Sequence, residues 1–204
     1  MRSVSPVLKS LHLVGERAAL RPIRASDAAD AYAWLHEQDD VLRWVPWSGP
    51  ESPDELERHY SEWRRSRADG WDYTFAIVNS SEQFCGALTL RFGGHAGSGD
   101  VGYWIAPEHQ AQGLASEALE LVCWLAFEHL ETMLLVAQTD VRHAASKRVL
   151  EKAGFAVDLE TTVTHSTGPR QEAHLSLSRR AWRRRTERPV PTVVDVELEP
   201  AISG

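Results

Sequence analysis

Cysteine is scarce in this chain: Cys85 and Cys123 are the two in 204 residues. They stand far apart and form no C-x-x-C, so neither a disulfide framework nor a paired-thiol motif can be built from them. The expectation is two structural thiols in a reducing compartment, the cytoplasm. Long apolar runs are missing as well. No stretch approaches the about 20 residues that a membrane helix needs. The opening M-R-S-V-S-P-V-L-K-S lacks the apolar core of a secretion signal. Nine histidines are scattered without metal-ligand spacing, so no metal site is expected. No internal repeat is visible.

Positive charge is in deficit. Lysine and arginine total 22 against 29 aspartate and glutamate, a net charge of −7. From Arg179 onward there are six arginines and four acids, a local +2, which leaves −9 for the rest. An acidic body argues against broad nucleic-acid binding and is compatible with cationic amine substrates. Hydrophobic residues at 43% and charged residues at 25% describe a soluble globular protein. The length suits one domain with a real core.

Along the chain, Arg17 to Arg24 alternates weakly and reads as a first strand. Ser26 is an N-cap candidate for a helix to about Glu37, with Ala28, Ala31, Tyr32 and Leu35 on its apolar face. Ser52-Pro53-Asp54-Glu55 reads as a capping box with proline at the first helical position, opening a helix to about Arg67. Asp72–Val78 and Cys85–Phe92 read as strands turned at Asn79–Glu82, followed by a strand at Val101–Ile105. A helix after Gly113 should reach about Leu130. Leu134–Thr139 reads as a strand, and Ser146–Lys152 as a short helix stopped by Gly154. Phe155–Thr164 and Glu172–Ser178 close the series, turned at Gly168-Pro169. The predicted class is α/β with a mixed sheet.

The most informative stretch is D-V-G-Y-W-I-A-P-E-H-Q-A-Q-G-L-A-S-E-A, residues 100–118. An aromatic strand ends at Ala106-Pro107, and a small-residue loop then opens into a helix. Glycine at 113 lets backbone approach a ligand closely. The helix start offers N–H groups without intrahelical partners and the positive end of the helix dipole. Strand, glycine loop and helix N-terminus together form an anion cradle, most often for phosphate. Rival phosphate loops fit worse: there is no G-x-x-x-x-G-K-[ST], and the glycines from 93 to 99 lack the G-x-G-x-x-G spacing.

Gln110-x-x-Gly113-x-Ala115 resembles the Q/R-x-x-G-x-G/A pyrophosphate motif of the GNAT superfamily of acetyl-CoA-dependent N-acyltransferases. The strand D-V-G-Y-W-I-A-P is similar to that of its RimJ/RimL-like branch, and A-S-K-R-V-L-E-K-A-G-F after it completes the match. The resemblance covers roughly residues 12–182. It implies a central twisted sheet, mixed but mostly antiparallel, flanked by helices and splayed at the cofactor site. It also implies acetyl-CoA as co-substrate, an amine acceptor and no metal.

Site residues follow from the same resemblance. The diphosphate falls to N–H groups around Gln112, Gly113, Leu114 and Ala115, with Gln110 shaping the loop. The pantetheine amides lie against main-chain groups near Tyr103, Trp104 and Ile105 as an added strand, at a bulge. His143 stands where the family usually has an asparagine for the pantetheine. Ser146 is kept and can reach the cofactor sulfur. Leu150 occupies the place where some relatives carry a tyrosine acid for the departing thiolate. Asp100 stands where several relatives carry a glutamate that takes the amine proton through water. Glu172 is a second candidate base, with His165 and His174 third. Trp44, Trp47, Trp63 and Trp71 fall in the region that folds over the acceptor in relatives, and Trp44 and Trp47 are the candidates for its pocket.

The expected activity is acetyl transfer to a primary amine, either a protein N-terminus or a small amine, by direct attack in a ternary complex. The alternative is a GNAT-fold protein that binds acyl-CoA without turnover, as a sensor or interaction module. Residues 1–182 form the expected acetyltransferase domain and 183–204 a C-terminal extension. In the extension, Pro189 and Pro191 mark a linker. Val194, Val196 and Leu198 then alternate with acids, the pattern of a strand. Two outcomes are open for this stretch: a solvated tail, or a strand at a sheet edge of the same chain or of a partner in a homodimer.

Overall fold

The structure is a computed structural model that describes residues 7–8, 11–36, 39–45, 47–68, 72–92, 97–194 and 198–199. In chain order the elements are β1 (Val7–Leu8), β2 (His12–Val14), β3 (Ala18–Pro22), α1 (Asp27–Leu35), α2 (Asp39–Leu42), α3 (Pro53–Ala68), β4 (Asp72–Asn79), β5 (Phe84–Arg91) and β6 (Ser98–Ile105). A 3₁₀ turn at Pro107–His109 leads to α4 (Leu114–Trp124) and a π-helical turn at Leu125–His129. Next come β7 (Leu134–Asp140), α5 (Ala144–Lys152), β8 (Ala156–His165), β9 (Gly168–Ser178), α6 (Arg179–Arg183), β10 (Thr192–Val194) and β11 (Leu198–Glu199).

Nine strands make one sheet in the order β10-β2-β3-β4-β5-β6-β7-β9-β8, and β1 pairs with β11 apart from it. Every ladder of the large sheet is antiparallel except β6 with β7. The strand alternation builds two cores. Tyr73, Phe75 and Ile77 of β4, Leu88 and Leu90 of β5, and Val101 and Ile105 of β6 pack under α4. Ala76 and Val78 of β4, with Phe84 and Ala87 of β5, pack under α1 and α3. Leu135 and Ala137 of β7 and Ala173, Leu175 and Leu177 of β9 join the first core only. Strands β3 to β6 thus pack against both cores, whereas β7 and β9 pack against the first alone and β8 is largely exposed.

The β6–β7 ladder is short. It runs from Ser98↔Leu134 to Asp100↔Val136. Beyond it β6 continues to Ile105 paired only with β5, and β7 continues to Asp140 paired only with β9. No bulge produces this parting: the register shifts lie at Ile77/Val78 and Val157/Leu159. The close approach of the β6 end to β5 requires Gly86. A Cβ there would lie 2.1 Å from the Trp104 carbonyl oxygen.

Local signals were met with some shifts. Two short strands, β1 and β2, precede the strand expected first. Ser26 makes no capping bond. Asp27 takes over, accepting from the Arg24 N–H at 2.8 Å and from both Arg21 guanidinium nitrogens at 2.8 and 2.7 Å. The capping box at α3 is offset by one residue: Ser52 Oγ accepts from the Glu55 N–H, while the Glu55 carboxylate takes the N–H of Glu51. The last hairpin turns at Ser166-Thr167, because Gly168 already pairs with His165. Pro169 is then tolerated because β7 reaches only to Glu172, so no ladder partner on that side needs its missing N–H. Gly154 stops α5 as expected, at φ +97°, with Phe155 N–H bonded to Leu150 O and Gly154 N–H to Glu151 O.

The C-terminal stretch returns to the sheet. β10 pairs antiparallel with β2, Thr192 opposite Val14 and Val194 opposite His12. Val193 and Val194 stay 38% and 41% exposed, so this edge strand contributes main-chain bonds rather than apolar burial. Residues 195–197 lie outside the described residues.

Candidate active site

The loop before α4 is held by its own side chains. Gln110 Nε2 donates to the Ile105 carbonyl at 3.0 Å, and Gln112 Nε2 to the Glu108 carbonyl at 3.0 Å. These bonds let the chain reverse through Ala111 at φ +59° and Gly113 at φ +83°. Gly113 is the N-cap of α4 and no side chain caps the helix. The first bond of the helical ladder is donated by Glu117 N–H to Gly113 O, so the N–H groups of Leu114, Ala115 and Ser116 have no place in that ladder. Unsatisfied donors, a helix dipole and a residue without Cβ meet at one exposed point, the arrangement that takes a phosphate.

Two residues at this point were not among the candidates named from the sequence. Glu117, in the first turn of α4, accepts from the N–H groups of Glu16, Arg17 and Ala18 at 2.8, 2.7 and 2.6 Å. Bonds to a charged acceptor are worth about 1.5–3 kcal/mol each, so the start of β3 is fastened to the helix. This fastening sets Arg17 beside the loop: a Cβ on Gly113 would lie 3.6 Å from Arg17 Cδ and 3.8 Å from its Nη1. An acid at the end of a helix meant for an anion was the clue. It is tolerable only if its charge is used elsewhere.

Between the free edge of β6 on one side and β7 with the start of α5 on the other lies a cleft of about 1240 Å³. Tyr103, Trp104 and Ile105 line it from β6, and Gln110, Gly113, Leu114 and Ala115 from the loop. His143 and Ser146 line it from α5, and Trp44 and Trp47 from the segment after α2. Gln112 and Asp100 are not on its lining. The charged lining residues among those described are Arg43, Arg91, Arg142 and Arg148, opposite in sign to the acidic body and suited to an anionic ligand.

Alternation divides β6. The Tyr103 ring packs on the α4 side, where its hydroxyl lies 3.1 Å from Ser146 Oγ and 3.3 Å from the Ser146 carbonyl oxygen. Burial pushes the phenol up to about 12. Trp104 points the other way, against Phe84 and Trp34. Trp34 also donates its indole N–H to the Glu108 carboxylate at 2.9 Å, tying α1 to the turn that precedes the loop. Gly102 shares the Trp104 side, and a Cβ built on it meets nothing within 4 Å. That face is open where Thr89 and Gly102 stand opposite each other.

His143 is the N-cap of α5, and its ring stacks flat on Trp44, centroids 4.2 Å apart at 7°. Arg43 lies over the same indole at 4.9 Å. Burial first, then Arg43, holds the imidazole below the usual histidine range, with Asp140 opposing. The stack brings a predicted acceptor-side residue onto a predicted cofactor-side residue. Trp63 lines the cleft while packing against Tyr60, and Trp71 lies outside the described residues.

Asp100 sits in the last β6–β7 pair, where the strands begin to part, and opposite Arg91 on β5. Burial raises its carboxyl above the ordinary value, against the pull of Arg91. Glu172 lies two strands away, buried, with one carboxylate oxygen 2.7 Å from His165 Nε2. Neither Glu172 nor His174 lines the cleft. Asp140 is held down to about 2 by the Arg142 guanidinium that grips it. Among the described residues, no group of three histidine, cysteine or acidic side chains is placed to hold a metal ion, and no helix is long and apolar enough to cross a membrane.

Known proteins match this arrangement. A family described as acetyltransferase (GNAT) domain matches residues 17–156. The Bacillus subtilis (strain 168) protein named "Probable N-acetyltransferase YjcK" is 26% identical over 149 residues, 70% of this chain and 82% of that protein. Mycobacterium smegmatis RimJ, solved in complex with CoA-disulfide, superimposes with a TM-score of 0.71 at 22% identity, over 85% of this chain and 90% of that one. RimL, a ribosomal L7/L12 alpha-N-protein acetyltransferase solved with coenzyme A, does so with a TM-score of 0.72 at 16% identity, over 81% and 96%. The last two likenesses are of fold.

Proposed function

The chain belongs to the acetyltransferase (GNAT) family, enzymes that move an acetyl group from acetyl-CoA to an amine, and from that premise we propose how its residues divide the work. The observation that carries the reading is the parting of β6 from β7 after Asp100, directly beside the uncapped start of α4. A strand with a free main-chain edge takes the amides of the pantetheine arm as an added strand, along Tyr103, Trp104 and Ile105. The N–H groups from Gln112 to Ala115 take the diphosphate, with Gln110 bracing the loop and Arg17 adding a positive charge. His143 flanks the arm, and Ser146 faces the cofactor sulfur.

Acetyl-CoA supplies an activated acyl group on a thiol, a far better leaving group than an alkoxide or an amide nitrogen. The protein's share is to align the amine with the carbonyl, take the amine proton and exclude water. Asp100 takes that proton through water in the open space above Gly102. Its raised pKa increases its basicity, and its place outside the cleft lining requires the relay. Trp44 and Trp47 wall the acceptor end. We take the acceptor to be a primary amine, a protein N-terminus or a small amine. Two buried free cysteines suit a reducing compartment, and we assign the enzyme to the cytoplasm.

The family match and the N-acetyltransferase name of the relative do not favour the binding-only alternative. The test is thiol release from acetyl-CoA over a panel of small amines and free-N-terminal peptides. Steady release with a primary amine is expected. Tight CoA binding with no release for any acceptor would overturn the reading in favour of a binding module.

A further inference from the structure

Leu150 is buried in α5, at the position where some relatives offer a tyrosine to the departing thiolate. A phenol nevertheless reaches this region. Tyr103 is the one tyrosine on the described cleft lining, and it comes from the facing strand rather than from the helix. Its hydroxyl meets the first turn of α5 at Ser146, 3.1 Å from the side-chain oxygen and 3.3 Å from the main-chain oxygen. We propose that Tyr103 is a positioning residue that donates to Ser146 and thereby turns the Ser146 O–H toward the sulfur that leaves the acyl group.

A serine hydroxyl has one proton and two lone pairs. In a helix its usual recourse is to donate that proton back to a carbonyl one turn earlier, here those of Arg142 and His143. Both carbonyls already accept one main-chain N–H, from Ala144 and Lys147, so a serine back-bond would have to take the second lone pair of a carbonyl already in use. The phenol has one proton for the two Ser146 oxygens. Shared between Oγ and the carbonyl, it makes Oγ an acceptor and leaves the serine proton for the cleft. A serine proton given to the phenol would be released by Tyr103→Phe, and would lower the thiol midpoint instead of raising it. Burial keeps that phenol protonated across the working range, so it remains a donor and does not act as a base. A sulfur acquiring negative charge then finds an oriented donor in place, with no reorganisation at the moment the C–S bond breaks. No proton changes hands in this step. Serine is too weak an acid to protonate a thiolate, and its part is a hydrogen bond to it.

The inference rests on the cofactor reading above, and its test separates the two. Free CoA is bound to the wild type and to Tyr103→Phe, Ser146→Ala and the double variant. Thiolate absorbance is followed against pH, with the desulfo-CoA complex as the blank. Phenylalanine keeps the ring that packs on the core, so the variant folds. In the wild type the bound thiol should titrate below free CoA measured alongside it. Each single variant should raise that midpoint by about 1 pH unit, the scale of one hydrogen bond to a charged group. The double variant should raise it no further. Desulfo-CoA should bind all four proteins within twofold, and kcat should fall about tenfold in each single variant while KM for acetyl-CoA stays within twofold. An unmoved midpoint in Tyr103→Phe, or additive shifts in the double variant, would overturn the positioning role with the cofactor site intact. A wild type that binds no CoA in calorimetry would instead remove the cofactor reading, and this inference with it.

Discussion

The two ends of β6 differ in one respect. Over Ser98–Asp100 the strand is paired on both flanks, with β5 and β7; over Val101–Ile105 it is paired with β5 alone. The first end has its main-chain groups satisfied and serves as scaffold. The second carries donors and acceptors without a ladder partner beside a large cleft, with the Ile105 carbonyl taken up by Gln110, and such an edge is a liability that proteins otherwise cover. In the proposed reading the exposure has a use, because a cofactor rich in amides would complete the ladder. Asp100 marks the boundary. The β6–β7 seam also separates strands that pack against both cores from β7 and β9, which pack against the first alone. The site therefore lies at the seam of the fold, and the walls of the cleft come from both sides of it.

The sharpest way to break this comparison is at the loop proposed to anchor the far end of the cofactor. Gly113→Asp puts a side chain at φ +83° and a carboxylate where the diphosphate would rest. Acetyl-CoA binding should be lost in calorimetry while the protein still folds. Unchanged affinity would remove the cradle. Next in size is the boundary residue. Asp100→Asn should lower kcat by about 10²–10⁴ with little change in cofactor affinity. The wild-type kcat/KM should rise with pH along a limb set above the ordinary carboxylate value, since the folded pKa is raised and the base works only when ionised. That limb should vanish in the variant. A loss under threefold would move the role to bulk water, or to Glu172 despite its distance from the lining.

The loop proposed for the cofactor was legible in sequence, as a glycine turn into a helix start, because it is local. Gln110, Gly113 and Ala115 fall within six residues, and the strand, loop and helix start that position them are contiguous. The alternation of Tyr103 and Trp104 to opposite sides follows from strand geometry alone. What was not legible comes from distant segments. Glu117 and Arg17 are fastened across about a hundred positions. The stack of Trp44 on His143 joins two loops with no pattern in common. The cause of the splay was misread: no bulge drives it, and the ladder simply ends after Asp100↔Val136. Ser26 failed as a cap because Asp27, with two arginine contacts, is the better anchor for the same turn. The return of β10 to β2 closes the far edge of the sheet with side chains that stay largely exposed, so composition carries little trace of where it docks.

Smaller effects sharpen the comparison further. Arg17→Gln should weaken acetyl-CoA about two- to fivefold, the scale of an exposed charge pair. It should leave acetyl-pantetheine, which has no diphosphate, unaffected. Equal losses for both would place Arg17 away from the phosphates. At the opposite edge, truncation after Arg188 removes β10 but no part of the cleft. The melting temperature should fall by about 2–4 °C, as loss of roughly 1 kcal/mol would give in a chain of this size. Activity and solution mass should hold. A collapse of activity would tie the edge strand to the site, and an unchanged melt would show that β10 contributes nothing to stability.

The central claim, that the unpaired end of β6 is the seat of the cofactor arm, is tested most directly by residue-resolved amide hydrogen exchange with and without acetyl-CoA. The outward amides of Val101–Ile105 and the amides of Gln112–Ala115 should gain protection together, while those of Ser98–Asp100, already paired on both flanks, should not change. Protection at the loop with none along Val101–Ile105 would contradict the claim.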